Sequence, residues 1–263
     1  AMLSNIIAIC NQKGGVGKTT TAINLAAALA ALGQKILIID LDPQGNASTG
    51  LGIDYVERNK SIYEVLSRSI TFDESVKKTN LENLFIIPSN VELSGIEPEL
   101  ANENDKAFVL KSLINNSESI NTFDYIFIDC PPALSLLTVM AMTAANSVLV
   151  PLQCEFFALE GLSQLIKTVD RVHKNLNPSL SIDGIILTMF DKRNKLSTQV
   201  AMDVKKHLQE KVFETMIPRN VRVSEAPSFG MPVIVYDRNS KGSQAYIKLA
   251  DEILKKTKTR EAA

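Results

Sequence analysis

The chain of 263 residues is 45% hydrophobic and has a formal net charge of −1, so it can bury a large core and shows no global excess of basic charge for binding nucleic acid. Its three cysteines lack a Cys-x-x-Cys spacing, which argues against a disulfide scaffold and against a zinc or iron–sulfur site. A signal peptide and an apolar stretch of about 18 residues are both missing from the sequence, which predicts a cytoplasmic protein with no membrane span.

Apolar runs rich in Ile and Val alternate with helical patterns along the chain. Strands are predicted at 6–10, 35–40, 84–88, 125–129, 147–152 and 182–189. Helices are predicted near 18–32, 61–67, 105–117, 135–145, 159–175, 196–210 and 243–258. Two shorter apolar runs are interpreted as late strands, at 212–217 and 233–236.

This alternation predicts an α/β fold in which residues 1–263 form a single domain. Because the predicted strands are apolar throughout, we expect a twisted, mostly parallel sheet with helices on both faces. Ligands of such sheets bind at the carboxyl ends of the strands.

Residues 13–19 read Lys-Gly-Gly-Val-Gly-Lys-Thr and connect the first predicted strand to the first predicted helix. A glycine-rich loop in this setting presents backbone N–H groups and a helix N-terminus to a phosphate group. The last two residues match the end of the P-loop pattern, whose lysine reaches the β- and γ-phosphates and whose hydroxyl binds Mg²⁺. The motif predicts a nucleotide site with these residues: Lys13, Gly14, Gly15, Val16, Gly17, Lys18, Thr19 and Thr20.

Lys13 departs from the general P-loop pattern, in which the first glycine would stand where Gln12 does. A glycine is the easier loop residue, and an ordered lysine loses side-chain entropy. Lys13 is therefore either a second phosphate ligand or a solvated lysine beside the site.

Aspartates end two of the predicted strands, where the ligand of a parallel sheet is expected. Asp40 and Asp42 end the second strand, and Asp129 ends a later one. Carboxylates beside a phosphate site hold Mg²⁺ or orient an attacking water. We assign Asp129 and Thr19 to the metal, Asp40 to a supporting role there, and Asp42 to the hydrolytic water. The alternative for each aspartate is a turn residue or a helix cap.

With these motifs the chain resembles the ParA/Soj family of partitioning ATPases, P-loop NTPases of the deviant Walker A class. Residues 13–21 are similar to the deviant Walker A motif of that class, 40–46 to its second motif and 129–132 to its Walker B motif. The segments within 217–242 narrow the resemblance to the short chromosomal members.

The resemblance implies an ATPase that uses ATP and Mg²⁺ and forms an ATP-dependent homodimer. Lys13 of one subunit then reaches the phosphates bound by the other, and Asp42 positions the hydrolytic water. Pro218 and Asn220 are the implied contacts to the nucleotide base. The implied partners are double-stranded DNA, bound without sequence preference, and a ParB-type centromere-binding protein that stimulates hydrolysis. The implied location is the nucleoid within the cytoplasm.

Basic side chains in the loops of the C-terminal third can reach DNA phosphates. They are Lys192, Arg193, Lys195, Arg219, Arg222, Arg238 and Lys241. A solvated loop surface is the alternative, because no aromatic residues are interleaved for base stacking. The resemblance favours Arg193 and Arg222 as DNA contacts, and we add Lys241.

A MinD-like membrane ATPase of cell-division site placement is the main alternative function. It needs an amphipathic membrane helix, and an apolar stripe of that kind is formed by Tyr246, Leu249, Ala250, Ile253 and Leu254. We interpret this stripe as a core-packing face, since the basic tail at 255–261 has no large apolar residue to insert. An iron–sulfur assembly factor lacks its clustered cysteines here, and nothing indicates the acceptor pocket of a small-molecule kinase.

Overall fold

The computed structural model describes residues 5–11 and 16–263. The strands of its sheet are β1 (Asn5–Ile9), β2 (Ile36–Asp40), β3 (Lys77–Lys78), β4 (Leu84–Ile87), β5 (Tyr125–Asp129), β6 (Ser147–Gln153) and β7 (Ser181–Thr188). They lie in the order β3-β4-β2-β5-β1-β6-β7. In this part of the chain β3 pairs antiparallel with β4, and the other neighbouring strands pair parallel.

The helices of the described residues are α1 (Val16–Ala31), α2 (Asn46–Gly50), α3 (Ile62–Leu66), α4 (Phe72–Ser75), α5 (Ile96–Leu100), α6 (Val109–Asn115), α7 (Leu136–Ala144), α8 (Ala158–Asn175), α9 (Lys195–Leu208), α10 (Val221–Glu225), α11 (Val233–Tyr236) and α12 (Lys241–Ala262). Short 3₁₀ turns lie at Tyr55–Glu57, Val91–Gly95, Lys106–Phe108, Ile120–Thr122, Gln209–Lys211 and Ala226–Phe229.

Successive side chains of a strand point to opposite faces of the sheet. Both of these faces are buried. Ile38 and Phe127 pack in a core with α1, α2 and α10 to α12, whereas Leu37 and Ile128 pack in a second core with α3 to α9. Helices therefore cover both faces of a mostly parallel sheet, which confirms the predicted α/β fold class.

The predicted strand at 212–217 is wrong, although this segment does contact β7. The N–H of Phe213 donates to the carbonyl of Ile185 at 2.9 Å, and the N–H of Ile217 donates to that of Leu187 at 2.8 Å. Between these two hydrogen bonds the segment advances by four residues, whereas β7 advances by two. In a regular ladder both strands advance by the same number of residues. The residues in between bulge away, and the carboxylate of Glu252 accepts the N–H groups at 214 and 215 at 2.9 and 3.0 Å.

The predicted strand at 233–236 is also wrong, because this segment is the helix α11. Its Val-rich sequence favours a strand locally, but tertiary contacts override that preference. The N–H of Val233 donates to the side chain of Asn24 on α1 at 2.9 Å. The carbonyl of the same residue accepts from the hydroxyl of Ser243 at 3.0 Å.

The sheet register brings the predicted catalytic aspartates to one place. β5 lies between β2 and β1, and Asp129 is directly opposite both Asp40 and Ile9. β1, which precedes the glycine-rich loop in the sequence, ends at Ile9 beside Asp129.

Candidate active site

Lys18 and Thr19 lie in the first turn of α1, and both side chains contact Asp129. The ammonium of Lys18 is ion-paired with Oδ1, and the hydroxyl of Thr19 donates to Oδ2 at 3.0 Å. Burial by itself lowers the pKa of Lys18, but the attraction of Asp129 outweighs it and the pKa is raised. A charged ammonium is therefore fixed beside the helix N-terminus, where a phosphate group also gains from the helix dipole.

Asp40 is fully buried and holds the loop that follows β2. Its Oδ2 accepts from the N–H and the hydroxyl of Ser48, at 2.9 and 2.7 Å. Its Oδ1 accepts from the N–H of Asp42 at 3.2 Å. Burial, and next the repulsion of Asp129, raise the pKa of Asp40 to about 7. Asp40 therefore changes its protonation near neutral pH while it orders the loop that carries Asp42.

Asp42 lies in a tight turn at the end of β2 and is 4% exposed. Its Oδ1 accepts from the N–H of Gln44 at 3.0 Å, and its carbonyl accepts from the N–H of Gly45 at 2.8 Å. Gly45 has a φ of +66°, in the left-handed region that favours glycine. Burial raises the pKa of Asp42, and the Gln44 bond and Lys18 oppose that rise.

The phosphate loop is only partly within the described residues. Lys13, Gly14 and Gly15 lie outside them, whereas Val16, Gly17 and Thr20 belong to α1. The structure thus places Lys18, Thr19, Asp40, Asp42 and Asp129 around one point at the carboxyl ends of β2 and β5.

The sequence analysis missed two residues that shape this region. Gln153 ends β6, and its Nε2 would lie 2.9 Å from a Cβ on Gly17, so a side chain at this position of α1 would displace the end of Gln153. Ser48 bridges Asp40 and the N–H of Ser89, which donates to the Ser48 hydroxyl at 3.0 Å. The position of Gln153 at a strand end was a signal for it, whereas no local pattern pointed to Ser48.

The segment that contains Pro218 and Asn220 lies beside α1. Asn220 caps α10, its Oδ1 accepting from the N–H groups of Arg222 and Val223 at 3.1 and 3.3 Å. Val223 packs in the same core as α1. The contact of Pro218 and Asn220 with a nucleotide base stays a prediction.

The basic residues of the C-terminal third are exposed and come from segments that meet in space. The N–H of Phe190 donates to the carbonyl of Ile217 at 3.1 Å, and the N–H of Arg219 donates to that of Phe190 at 3.1 Å. The 190–195 loop, with Lys192, Arg193 and Lys195, therefore lies beside the start of the 217–222 segment. Lys241, at the start of α12, is exposed as well.

Two of the three predicted DNA contacts are ion-paired. Arg222 lies 3.1 Å from a carboxylate oxygen of Glu225 and 3.3 Å from one of Asp237. Arg193 lies 3.2 Å from Asp191. Any phosphate that binds these arginines must compete with a carboxylate.

The described residues hold no group of three or more His, Cys, Asp or Glu side chains arranged for a metal. The oxygen donors assigned to the metal are the hydroxyl of Thr19 and the carboxylates of Asp40 and Asp129. A hard cation that keeps several waters and takes its other ligands from phosphate fits this donor set, and Mg²⁺ is such a cation.

A family model described as an AAA domain matches residues 4–182. The chromosome partitioning protein ParA of Caulobacter vibrioides is 54% identical over 257 residues, which cover 98% of this chain and 96% of that protein. The sporulation initiation inhibitor protein Soj of Bacillus subtilis is 49% identical, covering 95% of this chain and 98% of that protein. The chain belongs to the ParA/Soj family. ParA/Soj proteins are partitioning ATPases, and this chain is an ATPase of that family.

Two solved structures are similar to this chain over nearly its whole length. Cobyrinic acid a,c-diamide synthase from Mycobacterium smegmatis, with bound ADP and magnesium, is 34% identical with a TM-score of 0.85 and covers 97% of this chain and 96% of that one. The septum site-determining protein MinD from Pyrococcus horikoshii, complexed with Mg-ADP, is 30% identical with a TM-score of 0.78 and covers 95% and 96%. The match along the whole chain confirms the P-loop α/β fold.

The apolar stripe of α12 is part of the core, as we interpreted it. Tyr246, Leu249, Ala250 and Ile253 are buried in the core that also contains α1. Among the helices of residues 5–11 and 16–263, none is both long enough and apolar enough to cross a bilayer.

Proposed function

We propose that the protein partitions DNA: its ATP-bound homodimer binds double-stranded DNA without sequence preference, and hydrolysis, stimulated by a ParB-type partner, releases it. The observation that carries this proposal is the buried Lys18–Thr19–Asp129 cluster at the N-terminus of α1, in a chain closely similar to chromosome partitioning proteins. ATP and Mg²⁺ are the cofactors. The site of action is the nucleoid, within the cytoplasm.

Lys18 binds the β- and γ-phosphates, which replace Asp129 as the partner of its ammonium group. Thr19 and Asp129 would hold Mg²⁺, and Asp40 would support the metal from the neighbouring strand. Bound Mg²⁺ supplies a positive charge that neutralises the phosphate oxygens during transfer. The backbone N–H groups of the loop add further donors to the phosphates.

Asp42 positions the hydrolytic water. Its backbone is fixed by Asp40 and by the turn that Gly45 closes, so its carboxylate has one preferred direction. A water held by an ionised carboxylate is oriented for in-line attack on the γ-phosphorus.

Lys13 acts in the second subunit of the dimer, where its ammonium contacts the phosphates bound by the first. The same-subunit role is already taken by Lys18. Pro218 and Asn220 contact the base, since their segment lies beside the helix that begins in the phosphate loop.

The DNA surface is formed by Arg193, Arg222 and Lys241 with the neighbouring basic residues. Their exposure and the contacts between their segments support a patch that follows the phosphate backbone. No residue of this patch needs to enter a groove, so binding is independent of base sequence.

The test is DNA binding by the full chain with ADP, with ATP and with a non-hydrolysable analogue. ATP and the analogue should promote both dimerisation and DNA binding, and ADP should promote neither. Equal DNA binding in all three states would contradict nucleotide gating.

Sedimentation with anionic liposomes and ATP tests the MinD-like alternative, for which the chain should co-sediment with the liposomes. Limited proteolysis tests whether residues 1–263 form a single domain, which should resist cleavage as one unit.

A further inference from the structure

Arg58 is a buried arginine whose hydrogen bonds go to neutral oxygen atoms. It follows the 3₁₀ turn Tyr55–Glu57 and is 3% exposed. Its Nε and Nη2 donate to the carbonyl of Ile53 at 3.0 and 2.6 Å, and Nη2 donates to the hydroxyl of Thr49 at 3.0 Å. The ring of Tyr55 covers the guanidinium at 4.3 Å. Burying a charge against neutral groups is costly, so a buried arginine at this position needs a physical explanation.

The other terminal nitrogen of Arg58, Nη1, is buried and has no hydrogen-bond partner within residues 5–11 and 16–263. It lies against the backbone of Gly45, since a Cβ on that residue would be 2.9 Å from Nη1. Buried donors in folded proteins are nearly always bonded. Nη1 of Arg58 is a cationic donor without such a partner in the described part of the chain, and it lies against a glycine. This indicates that another arrangement of the loop containing Gly45 would supply the acceptor.

Gly45 belongs to the turn that carries Asp42. Its N–H donates to the Asp42 carbonyl at 2.8 Å, and the preceding N–H, of Gln44, donates to the Asp42 carboxylate at 3.0 Å. Its own carbonyl accepts from the N–H of Thr49, whose hydroxyl Arg58 also binds. Arg58 thus contacts the turn at Gly45 and again at the helix that leaves it.

We propose that Arg58 is a positioning residue for ATP hydrolysis, which holds the 42–45 turn so that Asp42 meets the hydrolytic water. When the turn adjusts in the transition state of hydrolysis, one of its backbone carbonyls accepts from Nη1. Because this bond forms only in the adjusted turn, it favours hydrolysis over substrate binding and contributes to kcat rather than to KM. The inference rests on the proposed role of Asp42.

Steady-state ATP hydrolysis by the full chain tests this role in Arg58→Lys and Arg58→Met. Lysine keeps the charge but has one nitrogen, which cannot serve Ile53 and the turn together. Both variants should lose about tenfold in kcat while KM for ATP stays within about twofold. Arg68→Met is the matched control, because Arg68 is half-exposed and pairs with Glu103 at the surface; its kcat should equal that of the parent.

A merely structural role would give a different result. The fraction of molecules that bind ATP, measured by titration calorimetry, would then fall in proportion to kcat, whereas a positioning role leaves that fraction at its parental value. Full kcat in Arg58→Lys would overturn the proposal, because charge alone would then be sufficient. If Arg58→Met does not fold, Arg58→Lys decides by the same criteria.

A double variant shows whether Arg58 acts through Asp42. Hydrolysis by Asp42→Ala with Arg58→Lys should equal that of Asp42→Ala alone, since no carboxylate is left to position. A further tenfold loss in the double variant would contradict the inference. If Asp42→Ala hydrolyses ATP at the parental rate, the proposed role of Asp42 fails instead, which is a separate outcome.

Discussion

Asp40 and Asp129 lie directly opposite each other in the β2–β5 register, so two buried carboxylates are neighbours at the end of the sheet. Burial and the neighbouring carboxylate of Asp129 disfavour the ionised form of Asp40. Lys18 pairs with Asp129, and Asp40 is left with neutral donors and a pKa raised to about 7. In the active site Asp129 is thus paired with an ammonium, and beside it lies Asp40, whose pKa is near neutrality.

We expect Asp40 to make the stability of the nucleotide-free protein depend on pH. Its pKa is about 7 in the folded chain against 3.8 unfolded, so the folded state binds the proton more tightly. The free energy of unfolding should therefore fall as pH rises from about 4 to about 7, by on the order of 2–4 kcal/mol. Urea denaturation at several pH values measures this fall.

Asp40→Asn should flatten that dependence, because the amide keeps an acceptor for Ser48 and has no proton to lose. Its nitrogen faces the N–H of Asp42, which lowers stability by about 1 kcal/mol at every pH. Asp105→Asn removes an exposed carboxylate and serves as the control, with the parental slope. An unchanged slope in Asp40→Asn would show that Asp40 is not the titrating group.

Lys18→Ala should lower ATP affinity by at least about a hundredfold, because it removes the charge that faces the β- and γ-phosphates. It also leaves the buried Asp129 carboxylate unpaired, which costs about 3–5 kcal/mol of stability. Adding Asp129→Asn should restore stability but not affinity. Calorimetric titration with ATP and thermal denaturation separate the two effects, and near-parental affinity in Lys18→Ala would contradict the site.

Asp42→Ala should bind ATP and dimerise but hydrolyse it about a hundredfold more slowly, since a carboxylate that orients water acts on the chemical step. Single-turnover hydrolysis measures the rate, and light scattering with ATP measures the persistence of the dimer. A parental rate would make Asp42 a turn residue and nothing more.

Lys13→Ala should bind ATP but fail to dimerise, because Lys18 already serves the phosphates of the same subunit. Light scattering with a non-hydrolysable analogue gives the mass in solution. The prediction fails if the variant forms dimers at the parental concentration.

Arg222→Glu should weaken DNA binding and keep ATP-dependent dimerisation. Losing one phosphate contact in each subunit should reduce the slope of log K against log salt by roughly 1.8 in magnitude. The measurement is a salt titration of the ATP-bound protein on two unrelated duplexes, which should give the same result. A strong preference for one duplex would contradict binding without sequence preference.

Asp237→Asn should have the opposite effect, because it removes one of the two carboxylates that compete with DNA for Arg222. We expect a gain of about two- to fivefold in DNA affinity. Asp105→Asn changes the net charge by the same amount, at an exposed residue that is distant from Asp237 in the sequence. It therefore controls for the effect of charge alone. Equal gains in both variants would show that the Arg222–Asp237 pair does not restrain DNA binding.

The two wrong strand predictions show where local sequence fails. The apolar runs at 212–217 and 233–236 have strand-forming composition, but Glu252 holds the backbone of the first and Asn24 binds the start of the second. These partners are far away in sequence, so no local pattern indicates them. A few hydrogen bonds of this kind outweigh a propensity of about 1 kcal/mol.

The sequence by itself determined six of the seven strands of the described sheet, its covered faces and the point at which nucleotide is expected. Strand–loop–helix order and Gly-Lys-Thr are local, and the carboxyl ends of parallel strands share one edge, so the aspartates at 40, 42 and 129 were expected at the same edge as Lys18. Only the tertiary structure decided their partners. Lys18 and Asp129 are 111 residues apart, Arg58 meets Gly45, and Arg222 is shared by Glu225 and Asp237. Burial makes the first two of these choices, because a polar group removed from water must bond to whichever loop the fold places beside it. The Arg222 pairs lie at the surface, where the fold brings α10 close to Asp237.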